Sequence, residues 1–156
     1  FLQSMKQKKG IAILGSTGSI GTQALEVLEA NPDCFDLQVL TAGKNVDLLI
    51  EQALKFQPNS VVISEESNYK KLKEALWNED IHVYCGEEAL CQVVASNEVD
   101  VVLTALVGYA GLKPTIAAIE AKKTIALAKS GAYRNSRKGF PVPHNSTKRF
   151  FSIFAL

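Results

Sequence analysis

A glycine-rich segment, Gly15–Gly21, carries the residues of this sequence whose types and spacing best suit chemistry: Gly-Ser-Thr-Gly-Ser-Ile-Gly. It follows the apolar run Ile11–Leu14 and precedes apolar residues at helical spacing, which predicts a turn between a buried strand and a helix. The free N–H groups and the dipole of a helix N-terminus favour an anion at such a turn. The segment therefore predicts a site for the pyrophosphate of a dinucleotide. An ordinary strand-to-helix turn without a ligand is the alternative.

Each glycine of this segment has a separate predicted role. Gly15 permits the tight turn, and Gly18 lets a pyrophosphate approach the backbone. Gly21 lets the helix lie close to the strand.

The end of the second apolar run, Phe35–Leu40, indicates which dinucleotide would bind. A site for NADH places an acid there to accept a hydrogen bond from the ribose 2′-hydroxyl, whereas NADPH requires a cation for its 2′-phosphate. This strand end has no acid, and Lys44 follows the glycine turn at about the 20-residue spacing expected for that contact. Asn45 adds a side-chain donor and Gly43 allows close approach of the backbone. We therefore expect NADPH, with a solvated loop lysine as the alternative.

Alternating apolar strands and amphipathic helices predict a doubly wound, mostly parallel α/β sheet, a Rossmann-like NADP-binding domain. The predicted strands lie near residues 11–14, 35–41, 60–64, 81–85, 99–104 and 123–128. The predicted helices lie near residues 20–30, 46–56, 66–77, 87–96 and 111–121. Ligands of such sheets bind beyond the carboxyl ends of the strands. The glycine turn, the Lys44 loop and the loop 104–111 are therefore expected to line one crevice.

Composition fits one globular domain, since the chain has 156 residues, 47% of them hydrophobic, and a net charge of +1. No apolar run has the length of a membrane span. The three cysteines are odd in number and lack metal-ligand spacing, which favours reduced thiols in a cytoplasmic protein. Residues 1–7 are expected to be an N-terminal extension, with Met5 as a candidate start. Trp77 is expected to be a packing residue at a helix end.

Residues 129–156 show no helical or strand period and form an unpatterned C-terminal tail. They contain six of the 17 basic residues and none of the 16 acidic ones. A basic arm for nucleic acid is one interpretation, with Phe140, Phe150 and Phe151 as stacking candidates. An aberrant or disordered basic tail is the interpretation we favour, with no nucleic-acid partner.

Four separated blocks together carry a specific family resemblance. They are Gly10–Gly21, Ala42–Asn45, Ala105–Thr115 and Lys123–Ala128. In this order they resemble 1-deoxy-D-xylulose-5-phosphate reductoisomerase, and the resemblance covers residues 8–128, the expected NADPH-binding domain.

The resemblance implies NADPH-dependent rearrangement and reduction of 1-deoxy-D-xylulose 5-phosphate to 2-C-methyl-D-erythritol 4-phosphate. This reaction belongs to non-mevalonate isoprenoid biosynthesis, and the family uses a divalent cation (Mg²⁺ or Mn²⁺), acts as a homodimer and has no membrane partner. By the same resemblance, seven residues contact the cofactor. They are Thr17, Gly18, Ser19, Ile20, Gly43, Lys44 and Asn45.

The sequence departs from the family after Ala128. Where the family continues Asn-Lys-Glu, this chain has Lys129-Ser130-Gly131, and the family's metal-binding acids do not follow. No catalytic or metal-binding residue is therefore assigned, and the chain is expected to hold the cofactor half of the enzyme and to be inactive alone. A shift of reading frame near residue 129 is our hypothesis for this departure, because the alternative frame can encode Asn-x-Glu. A truncated protein with a disordered basic tail is its rival.

Two other functions remain open from the sequence. One is a non-catalytic NADP(H)-binding module. The other is a different NADP-dependent oxidoreductase, because Tyr69 with Lys73 and Tyr109 with Lys113 repeat the Tyr-x-x-x-Lys spacing of short-chain dehydrogenases. The four family blocks argue against the latter.

Overall fold

The computed structural model describes residues 7–106 and 108–127 and the backbone of 152–154. Its strands are β1 (Lys9–Leu14), β2 (Phe35–Ala42), β3 (Ser60–Ile63), β4 (His82–Cys85), β5 (Val101–Thr104), β6 (Thr124–Leu127) and β7 (Ser152–Phe154). Its α-helices are α1 (Ser19–Ala30), α2 (Val46–Phe56), α3 (Tyr69–Ala75), α4 (Glu87–Val94) and α5 (Leu112–Glu120). Short 3₁₀ turns, Glu66–Asn68 and Gly108–Gly111, precede α3 and α5.

Strands β1 to β6 form one parallel sheet in the order β4-β3-β2-β1-β5-β6. The chain builds outward from β1 to β4 and then crosses back, so that β5 pairs with the other edge of β1. This reversal makes a topological switch point between β1 and β5, where sheets of this type bind ligands. The predicted doubly wound, mostly parallel α/β fold is confirmed.

Two apolar layers form the core, one on each face of the sheet. Ile11 and Ile13 of β1 face the layer of α1, α2 and α3, whereas Ala12 and Leu14 face the layer of α4 and α5. Because both faces are covered, the strands are apolar at successive positions, as in Val61–Ile63, where every side chain is buried. Within the part of the chain that the structure describes, no helix is long and apolar enough to cross a membrane.

The structure differs from the sequence-based expectations at two places. Trp77 lies beyond the end of α3 and is 76% exposed, so it is not a packing residue. Ser152–Phe154, inside the expected tail, pairs antiparallel with β6. Because β6 is the last strand of the parallel sheet, the backbone N–H and C=O groups along its outer edge are available to pair with an extended segment. No strand was predicted for these three residues, and the rest of the tail lies outside the described residues.

Candidate functional site

The glycine turn has the close backbone contacts that its sequence predicts. Gly15 has φ of +83°, a left-handed conformation that side chains disfavour, and a Cβ there would lie 2.9 Å from Leu106 Cδ2. A Cβ on Gly21 would lie 2.2 Å from the Gly15 carbonyl oxygen. The first turn of α1 therefore lies directly against the turn that follows β1.

The N-terminus of α1 is open toward solvent. Gly18 is its N-cap residue and has no side chain to accept a hydrogen bond. The first backbone bond runs from the Thr22 N–H to the Gly18 carbonyl at 2.9 Å, so the N–H groups of Ser19–Gly21 have no acceptor within the helix. The first turn contains no acid. A Cβ on Gly18 would meet only the Gly15 oxygen, at 3.6 Å, which leaves room for an anion.

The turn is held to the end of β2 by buried hydrogen bonds. The Ser16 N–H donates to the Thr41 carbonyl at 2.8 Å, and the Gly15 N–H donates to Thr41 Oγ1 at 3.0 Å. Gln52 of α2 bonds to Ser16 from the other side. Gln52 was not predicted as a site residue, although it lies between Leu49 and Ala53 on the buried face of α2.

The loop after β2 holds Gly43, Lys44 and Asn45, all exposed. Asn45 Oδ1 accepts a hydrogen bond from the Leu48 N–H at 3.2 Å, so this side chain caps α2. The Lys44 carbonyl accepts from Asn68 Nδ2 at 3.1 Å, which fixes the loop backbone. Lys44 takes part in none of the ion pairs among the described residues. Its ammonium is therefore available to an anion.

The structure brings these segments together at the carboxyl edge of the sheet. Strand β1 pairs with both β2 and β5, so the glycine turn leaves the sheet between the Lys44 loop and the loop after β5. Leu106, in the loop after β5, approaches Gly15, and it also lies 3.2 Å from the position that a Cβ on Gly111 would take. The three segments thus meet at the switch point, with the N-terminus of α1 between the Lys44 loop and the loop after β5.

The Tyr-x-x-x-Lys pairs do not form a comparable site. Tyr109 is 89% exposed, and the Lys113 Nζ bonds to Glu87 at 2.8 Å. That hydrogen bond, together with the negative charge of Glu87, raises the pKa of Lys113, whereas a lysine acting with a catalytic tyrosine needs to be free of such a partner. Lys73 lies 5.6 Å from the centre of the Tyr69 ring on α3, away from the glycine turn in the chain.

The described part of the chain contains neither a cluster of metal ligands nor an activated thiol at Cys85. No group of three or more His, Cys, Asp or Glu residues able to hold a metal occurs there. Burial, and then the charge of Glu66, raises the pKa of the Cys85 thiol, which keeps it protonated at neutral pH.

The fold and the glycine turn together define a Rossmann-like domain. A sequence profile of 1-deoxy-D-xylulose 5-phosphate reductoisomerase matches residues 11–131, and the chain belongs to this family. A relative of that name from Bacteroides thetaiotaomicron is 61% identical over 126 residues, 81% of this chain and 32% of the relative. One from Bacteroides fragilis is 62% identical over 122 residues, 78% of this chain and 31% of the relative.

Solved structures agree with this assignment. The reductoisomerase from Zymomonas mobilis in complex with NADPH has a TM-score of 0.74 at 38% identity and covers 78% of this chain and 32% of its own length. A reductoisomerase in complex with magnesium has a TM-score of 0.75 at 35% identity, over 78% of this chain and 31% of the other. The chain therefore spans about a third of the length of the relatives it matches.

These comparisons confirm the family resemblance and the fold predicted from the sequence. They disfavour a short-chain dehydrogenase, because the matched family accounts for residues 11–131. The domain limits and the seven cofactor-contact residues stay predictions.

Proposed function

We propose that this chain binds NADPH and forms the cofactor-binding portion of a 1-deoxy-D-xylulose 5-phosphate reductoisomerase. The observation that carries the proposal is the open N-terminus of α1 behind Gly18, at the switch point of the sheet. Its chemistry fits a pyrophosphate, and a solved family member is a complex with NADPH.

Each predicted contact has a chemical role in this proposal. Thr17, Ser19 and the N–H groups at the start of α1 bind the pyrophosphate, while Lys44 neutralises the 2′-phosphate. Because Asn45 Oδ1 already caps α2, only the amide nitrogen of Asn45 is left to donate to the cofactor. Gly43 has no atom within 4 Å of the position of a Cβ, so the ligand can approach its backbone.

In the complete protein we propose conversion of 1-deoxy-D-xylulose 5-phosphate to 2-C-methyl-D-erythritol 4-phosphate, by a homodimer in the cytoplasm. A solved family member is a complex with magnesium. The described residues contain no cluster of metal ligands. We therefore assign the cation, and the chemistry it supplies, to parts of the protein other than those described.

A lysine variant tests the cofactor preference. We expect Lys44→Ala to weaken NADPH binding by about 1.5–3 kcal/mol, the cost of losing a charge-assisted contact, and to leave NADH binding nearly unchanged. Calorimetric titration of both nucleotides measures this, with Lys70→Ala, an exposed lysine of α3, as the matched control. Equal affinity of the unmodified chain for NADH and NADPH would contradict the proposal.

A turnover measurement tests whether this chain alone can catalyse the reaction. We expect the 156-residue chain to show no substrate-dependent oxidation of NADPH with Mg²⁺ or Mn²⁺ added. Stabilisation of charge at the reacting centre is usually the largest part of catalysis, and the described residues offer no group of metal ligands for it. The absorbance of NADPH is followed with and without 1-deoxy-D-xylulose 5-phosphate. A substrate-dependent decrease would disprove the assignment of catalysis to parts of the protein other than those described.

A further inference from the structure

Gln52 makes a two-point hydrogen bond to the glycine turn. Its Nε2 donates to the Ser16 carbonyl at 2.9 Å, and its Oε1 accepts from Ser16 Oγ at 2.7 Å. Gln52 is 6% exposed and Ser16 is fully buried. A buried amide costs free energy unless it is paired, and here both ends of the amide are paired with one residue.

These bonds are directional, whereas the other contacts of α2 with the core are not. Val46, Leu49 and Ala53 hold α2 against the sheet through apolar side chains. Such contacts tolerate small shifts along or about the helix axis, because the hydrophobic effect has no preferred direction. The amide of Gln52 therefore fixes the position of α2 relative to the turn.

Helix α2 connects Gln52 with the Lys44 loop, which lies at the N-terminus of the helix. Asn45 caps α2 seven residues before Gln52, and seven residues of helix extend about 10 Å. The segment after β3 also holds the backbone of this loop, since the Gly43 carbonyl accepts from the Glu65 N–H and the Lys44 carbonyl accepts from Asn68 Nδ2, both at 3.1 Å. Helix α2 holds the other end of the loop, where the Val46 N–H donates to the Lys44 carbonyl at 2.8 Å. The position of Lys44 therefore depends in part on α2 and, through α2, on Gln52.

We propose that Gln52 is a positioning residue that sets the preference for NADPH over NADH, an inference that rests on the proposed function of the site. NADPH must contact the glycine turn through its pyrophosphate and, at the same time, contact Lys44 through its 2′-phosphate. Gln52 holds these two subsites at the separation that one ligand requires. NADH has no 2′-phosphate to bind Lys44. Without Gln52, the turn is still held by the N–H groups of Gly15 and Ser16, which donate to Thr41, and the Ser16 hydroxyl can donate to the Thr41 carbonyl at 3.2 Å.

The test is the ratio of NADPH to NADH affinity in Gln52→Met. Methionine has a similar length and stays buried but cannot make either hydrogen bond. We expect calorimetric titration to show a ratio about tenfold lower than that of the unmodified chain, within the range of coupling found between neighbouring residues. In the double variant Lys44→Ala with Gln52→Met, the ratio should equal that of Lys44→Ala alone.

Two further variants separate positioning from a loss of stability. Ala53→Gly lowers helix propensity at the next position of α2 and keeps the Gln52 bonds, so the ratio should stay unchanged. Ser16→Ala removes the hydroxyl that bonds to Gln52 and lies 3.2 Å from the Thr41 carbonyl, but it keeps the bond from Gln52 Nε2 to the backbone of residue 16. It should therefore lower the ratio less than Gln52→Met, and it provides the test if the methionine variant does not fold.

The outcomes distinguish this inference from the function on which it rests. A parallel loss of NADPH and NADH affinity in Gln52→Met would show that Gln52 only stabilises the fold and would overturn the inference. An unchanged ratio would overturn it too, with NADPH binding intact. If the unmodified chain shows no preference for NADPH, the proposed function itself fails.

Discussion

Replacing Gly18 by valine is expected to abolish NADPH binding and to leave the fold intact. Gly18 has φ of −75° and ψ of 170°, an extended conformation that β-branched residues readily adopt. A Cβ there would meet only the Gly15 oxygen, at 3.6 Å. The branched side chain would instead stand at the N-terminus of α1, where a pyrophosphate has to approach the backbone.

The expected loss of affinity exceeds about a hundredfold, because the pyrophosphate would lose several charge-assisted bonds together. Calorimetric titration measures the affinity, and circular dichroism during heating checks the fold. Gly18→Ala serves as a graded control, with a smaller side chain and a smaller loss. Unchanged NADPH affinity in a folded Gly18→Val protein would place the pyrophosphate elsewhere.

The parallel sheet could be predicted from the sequence because its strands are apolar on both faces. Val61–Ile63 is one such run, and each run alternates with an amphipathic helix of suitable length. Strand β7 could not be predicted, because residues 129–156 have no period and an edge strand depends on what its neighbour leaves unpaired. Trp77 shows a similar limit, since a large aromatic residue at a helix end gives no sign of which way it faces.

The candidate site was predictable where a backbone requirement fixes the residue type. Gly15 and Gly21 are examples, since a positive φ or a close approach leaves little choice but glycine. Asn45 was predicted as a donor to the ligand, and the structure adds that its oxygen caps α2. Gln52 was missed because a glutamine in a helix has the same type whether it faces water or a buried partner.

The largest loss of stability is expected from Gly21→Ala. A Cβ at this position would lie 2.2 Å from the Gly15 oxygen and 2.6 Å from Ser16 Cα. Both are backbone atoms of a turn that buried hydrogen bonds fix to Thr41, so neither can move without breaking those bonds. Overpacking a core commonly costs about 1–3 kcal/mol, and rigid neighbours place this variant at or above about 3 kcal/mol.

Gly43→Ala is the matched control, since the same methyl group is added at a glycine of negative φ with nothing within 4 Å. Removing a glycine there restricts the unfolded chain, so the free energy of unfolding should stay equal or rise by up to about 1 kcal/mol. Urea unfolding of both variants, followed by circular dichroism, compares them directly. A loss of about 3 kcal/mol is large for a domain whose total stability is about 5–15 kcal/mol. Gly21→Ala should therefore unfold at a much lower urea concentration. If the two variants unfold at the same urea concentration, α1 does not lie against the turn. The close contact of Gly21 with Gly15 and Ser16, on which the shape of the proposed pyrophosphate site depends, would then be wrong.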